Sequence, residues 1–258
     1  MRTTEAPTDP LAAGRAALDR AEWEDARRHF EAALSERDAP EGLGLAFDLT
    51  TAPDDDPDVP DALRGRPVAI IVGMYAGSVA EGERALAPIR ASRPAADLFG
   101  PTSYPDFQCS IDDPPGHRNW WTAEQTLDLP DDAIDALCDW AQGLPPGPSQ
   151  LFVVPWGGAV ARATERTSPL VGRDSAFVVH PLLMWDDPAD DDATIAFGHA
   201  FRDAIGPWAT GSAYLNFVSD VGRARVRAAY SPSAIERLAA IKAAWDPEGA
   251  FPGSHRLA

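Results

Sequence analysis

The sequence has only two cysteines, a single lysine and no long apolar run. Cys109 and Cys138 lie far apart without metal-ligand spacing, which points to a reduced, cytoplasmic setting. Lys242 is the one lysine, so the basic charge is almost all arginine; that bias fits a GC-rich bacterial genome. No apolar stretch approaches the roughly 18 residues needed to cross a bilayer, and Met1 to Pro7 lacks the apolar centre of a signal peptide. Basic groups are also few against acidic ones, 22 Lys plus Arg to 40 Asp plus Glu, for a formal charge of −18. That balance argues against non-specific nucleic-acid binding and against docking on an anionic membrane, both of which need clustered Lys and Arg. Neither a G-x-G-x-x-G nor a Walker phosphate loop occurs. There is no G-x-S-x-G elbow and no H-E-x-x-H, and the five histidines are scattered. No metal site is expected.

What is present suits a folded protein. Of 258 residues, 45% are apolar and 24% charged, enough for a buried core. From Leu11 to Leu34, apolar and small residues recur at three- and four-residue steps after an Asp9-Pro10 entry signal, which predicts two helices. Gly14, Ala21, Trp23, Ala26, Phe30 and Ala33 resemble the tetratricopeptide pattern. One such repeat cannot bury its own face, so the hairpin, assigned to residues 1–47, is expected to pack on the rest of the chain. Residues 43–50 read equally as helix or strand. Thr51 to Pro60 is a proline-punctuated acidic linker. Counted from Asp54, the sixth and twelfth positions are Val59 and Gly65, where an EF-hand needs Gly and Glu; the loop is expected to be solvated.

Beyond the linker, strands and helices alternate. Pro67 to Met74 is a short, near-continuous apolar run and predicts a buried strand; Gln150 to Val154, Ala176 to Trp185 (the longest) and Tyr214 to Val218 predict three more. Helices are predicted over Glu81 to Arg90, from Pro130-Asp131-Asp132 through Ala141, over Pro188 to Ile205, and over Pro232 to Trp245. The order predicts an α+β fold, an antiparallel sheet covered by helices on one face, after an N-terminal helical hairpin.

Several separated segments carry a family resemblance. They are Gly65-Arg66-Pro67, Tyr75-Ala76-Gly77, Arg118-Asn119-Trp120-Trp121, Gly157-Gly158-Ala159, and Arg173 before a strand ending in Trp185. A C-terminal set follows: Tyr214-Leu215-Asn216-Phe217, Arg227 to Tyr230, Lys242 and Asp246 to Phe251. In this order they resemble the substrate domain and C-terminal segment of FAD-linked oxidases of the berberine-bridge-enzyme-like group, over residues 48–258. The resemblance implies a sheet that roofs the flavin, with Tyr214 as the base that deprotonates a small organic substrate and Asn216 as a flavin neighbour. It implies FAD as cofactor, yet nothing in Met1 to Thr50 can replace the family's flavin domain. A flavin-bearing partner chain, or a second copy covering the sheet, is therefore expected. His180 is a second candidate base, since an imidazole titrates near neutral pH. Trp121 and Trp156 are candidate substrate-lining rings. Two other functions fit the same residues: a non-redox binding or acid–base protein, and an interaction module using the hairpin.

Overall fold

The computed structural model describes residues 40–113, 115–145, 147–219 and 222–251. The tetratricopeptide-like hairpin lies almost wholly outside them. The described chain is α+β, and every strand pairing given below is antiparallel. It falls into two compact units, one ending at His117 and the other beginning at Arg118.

In the first unit, β1 (Leu43–Thr51) pairs with β2 (Pro67–Tyr75) along its whole length, from Leu43 opposite Tyr75 to Thr51 opposite Pro67. The segment left open between helix and strand is thus strand, and a boundary at residue 47 would fall inside β1. Helix α1 (Val79–Ala91) follows. Ser78 and Glu81 form a reciprocal capping box at its start, which satisfies amide groups that have no partner within the helix. Its buried face carries Leu86 and Ile89. A short helix, α2 (Tyr104–Ser110), comes next. One feature of this unit runs against patterning. Asp48 is 2% exposed in β1, its Oδ1 has no hydrogen-bond partner among the described residues, and burial raises its pKa to about 8.

The second unit is built on β6 (Phe177–Trp185), which is flanked by β5 (Gln150–Pro155) on one side and by β3 (Arg118–Trp121) and β4 (Glu124–Thr126) on the other. β3 and β4 share one register, with Trp121 opposite Leu182 and Glu124 opposite Val179. They are interrupted at Thr122, which lies opposite Pro181. Thr122 N–H still donates to the Pro181 carbonyl, at 3.3 Å, but proline has no N–H to return.

Helices α3 (Asp131–Ala141) and α5 (Asp191–Ile205) are the main helices of this unit, and the five-residue α4 (Gly158–Arg162) lies between them in the chain. Trp140 stacks on Phe197 at 4.4 Å and meets Phe201 edge-on, which joins α3 to α5. Gly198 brings α5 against β3: a β-carbon there would come within 2.3 Å of the Trp120 ring. Arg118 Nε donates to Asp191 Oδ1 at 2.5 Å, and Trp185 Nε1 reaches the same oxygen at 2.8 Å, so the first residue of α5 is tied to β3 and β6. Glu124, buried on β4, accepts from Arg202 Nε at 2.9 Å and pairs with Arg225 Nη2 at 2.8 Å. Helices α6 (Arg223–Ala228) and α7 (Pro232–Trp245) end the described chain.

The strand expected over Tyr214 to Val218 is not formed. Leu215–Phe217 is a 3-10 turn instead, closed by Phe217 N–H on the Tyr214 carbonyl at 3.0 Å. The physical reason is side-chain placement. A strand would put Tyr214 and Phe217 on opposite faces, whereas a period of three aligns them, and their rings meet at 4.9 Å.

Candidate functional site

The second unit gathers all five residues singled out in the sequence. The centre is His180, in the middle of β6 and 5% exposed. Cross-strand partners share a face, so Phe152, opposite His180 on β5, lies on its side of the sheet; their rings are 6.4 Å apart. Trp121 meets the imidazole edge-on at 5.9 Å. The 3-10 turn supplies Phe217, stacked on His180 at 4.3 Å, and Tyr214, which contacts Trp156 edge-on at 5.0 Å. Ring contacts therefore run without a break from Trp121 through His180, Phe217 and Tyr214 to Trp156.

Polar groups in this cluster are few. His180 Nδ1 lies 2.8 Å from the Thr122 carbonyl oxygen. A carbonyl only accepts, so Nδ1 carries the proton. Burial lowers the His180 pKa to about 4, partly opposed by that same hydrogen bond, and the ring is neutral at physiological pH. Asn216, exposed, donates from Nδ2 to the Tyr214 hydroxyl at 3.0 Å. The indole N–H groups of Trp121 and Trp156 are buried without acceptors among the described residues.

Sequence reasoning missed Phe152, Phe217 and the Thr122 carbonyl as parts of this cluster. Phe217 was visible inside the Tyr-x-Asn-Phe stretch, but only the turn reveals that it shares a side with Tyr214. Among the described residues no group of His, Cys, Asp or Glu is placed to hold a metal ion, and no helix is long and apolar enough to cross a membrane. The first unit has a cleft of about 360 Å³ lined by Tyr75, Leu86, Phe99 and Phe107 among others; none of the five candidate site residues lines it.

The cluster fits the ring of a flavin better than its phosphates. It offers aromatic surface and the exposed Asn216 amide, whereas Arg118, Arg202 and Arg225 are each committed to a carboxylate.

Comparison with known proteins bears on the fold and on the C-terminal segment. The family model described as "Berberine and berberine like" matches residues 213–255, the segment that contains the Tyr214–Phe217 turn. No curated protein matches the sequence. Solved structures do match. 6-Hydroxy-D-nicotine oxidase from Arthrobacter nicotinovorans superposes with a TM-score of 0.64 at 18% identity, over 96% of this chain and 51% of that one. Wild-type BBE-like 1 from Physcomitrella patens gives 0.62 at 16%, over 98% and 53%. A variant of berberine bridge enzyme gives 0.66 at 14%, over 95% and 53%. The chain thus spans about half the length of the solved relatives it matches. The resemblance seen in the sequence holds on both counts: the C-terminal segment matches the berberine and berberine-like family, and the chain has the fold found in about half of each of these proteins.

Proposed function

We propose that this chain is the substrate-handling part of an FAD-linked oxidase acting on a small organic molecule. One observation carries the proposal: the turn within the family-matched segment brings Tyr214 and Phe217 onto the same aromatic cluster as His180, Trp121 and Trp156. Ring faces and edges bury a planar substrate and orient it. Tyr214, acting as phenolate, is the proton acceptor at its phenol oxygen, and Asn216, donating to that oxygen, supports the negative charge the base carries before it takes up the proton. Asn216 and the neighbouring rings are the groups that would meet the flavin ring; a bound flavin supplies the two-electron acceptor that amino-acid side chains lack.

The flavin-bearing part is proposed to come from another polypeptide or from sequence outside this chain, with a second copy as the other way to cover the sheet. Purification from the native host tests this. Flavin absorbance co-eluting with the chain, and substrate-dependent bleaching lost in Tyr214→Phe, are the expected results. A colourless, monodisperse monomer on light scattering, inert with added FAD, overturns the proposal. It would leave the non-redox binding function, which the neutral, partner-poor cluster also suits.

A further inference from the structure

The cleft of the first unit, about 360 Å³ in volume, has firm walls and an uncovered rim. One wall is Tyr75, at the end of β2. Its ring is wedged against backbone: a β-carbon at Gly77 would come within 2.5 Å of it, and one at Gly42 within 3.3 Å. Phe99 and Phe107 form a second wall. Arg90 ties that wall to α1, donating from Nη2 to the Phe99 carbonyl at 3.0 Å and from Nε to Asp97 at 2.7 Å.

The rim is apolar. Val79 and Tyr104, the first residues of α1 and α2, line the cleft and are 59% and 62% exposed. Leu98 and Ile111, next in sequence to Phe99 and to the end of α2, are exposed as well. Large apolar side chains gathered on one surface mark a place of contact.

The chain itself supplies an occupant. Ala76 lines the cleft, and its N–H donates to the Gly42 carbonyl at 2.9 Å, so the chain enters β1 at the edge of the cleft. Leu34 stands six residues before Pro40, and six extended residues reach at most about 20 Å. Phe30 and Leu34 are four apart, which puts them on one side of the helix that the sequence predicts there. A single repeat has no second unit to cover that side. A short tether also raises the local concentration to the millimolar range, so a contact too weak between separate chains is populated within one.

We propose that Phe30 and Leu34 seat in this cleft, docking the N-terminal segment on the first unit of its own chain. The segment is then engaged internally and is not a free arm for an outside partner. This inference is independent of the oxidase reading.

The test uses the full chain. Cys109, at the end of α2, is exposed, whereas Cys138 is buried, so a nitroxide label is placed on Cys109. Its broadening of nitrogen-15 amide signals is read in dilute protein, for wild type and for the double variant Val79→Asp with Tyr104→Asp. Both side chains are exposed, so the changes leave the core alone. The expected result is a maximum of broadening at residues 30–34, above that of the connecting residues 36–39, and loss of this maximum in the variant. Broadening that falls away steadily from Pro40, or a maximum unchanged in the variant, overturns the inference. So does the same maximum in a mixture of spin-labelled nitrogen-14 chains and unlabelled nitrogen-15 chains, which would make a second copy the occupant. If the variant does not fold, the wild-type profile and the mixture decide the matter.

Discussion

The imidazole of His180 lies flat against the ring of Phe217, with 4.3 Å between centroids and 8° between planes. Such a stack buries the imidazole and disfavours its charged form. The pKa in the fold is about 4, against 6.5 for the free side chain. Below pH 6.5 the unfolded chain takes up a proton that the fold refuses, so this contribution to stability is full above pH 6.5 and is lost as pH falls towards 4. The loss amounts to about 3 kcal/mol. Thermal unfolding of His180→Phe should be flatter between pH 7 and pH 4 than that of wild type; parallel curves would refute it.

Asp48 has the opposite sign. Burial raises its carboxyl from 3.8 to about 8. The fold therefore loses stability relative to the unfolded chain as pH rises from 3.8 to about 8. Asp48→Asn keeps the shape and removes the ionisation. It should raise the stability at pH 8 by on the order of a few kcal/mol, read as a higher denaturation midpoint, and change little at pH 4. A midpoint that falls at pH 8 would show that the charged form is wanted.

Glu124 holds two arginines with one buried carboxylate. Arg202 is half exposed and can return to water, but Arg225 is nearly buried. Removing the carboxylate in Glu124→Ala strands Arg225, which should cost about 3 kcal/mol. Denaturant titration should show this at neutral pH, with a smaller loss for Glu124→Gln. Wild-type stability in the alanine variant would mean that the pair is ornamental.

Gly198 in α5 should not tolerate a methyl group. Alanine normally favours a helix over glycine by up to about 1 kcal/mol, yet here its β-carbon would overlap the Trp120 ring. Overpacking of this kind costs about 1–3 kcal/mol. Gly198→Ala is thus expected to lower the melting temperature, and the double variant with Trp120→Leu to recover part of the loss.

Much of this architecture was legible in the sequence, for physical reasons. Helix α7 begins and ends where Pro232 and Trp245 suggested, because a capping serine and a following Asp-Pro mark its limits. α3 was visible through Ile134, Leu137, Cys138 and Ala141, which are all buried. β6 showed as a continuous apolar run, since both of its faces are covered; β5 is buried on one face and half-buried on the other. β3 and β4 were not legible as strands; four and three residues long and split at Thr122, they present no period to count. The Tyr214 to Val218 segment misled because its aromatic, β-branched composition suits a strand, whereas ring packing against His180 and Trp156 selects a turn. His180 was found as a titratable group, but its neutrality follows from neighbours distant in sequence.

The turn at Tyr214–Phe217 also acts as a ruler. Two intervening residues set the rotation that points both rings the same way, so their number matters to the cluster apart from what each side chain does. A single insertion or deletion at Leu215 or Asn216 would swing one ring away and open the cluster. Relatives with the same chemistry are expected to keep the length of this segment together with the amide at the place of Asn216.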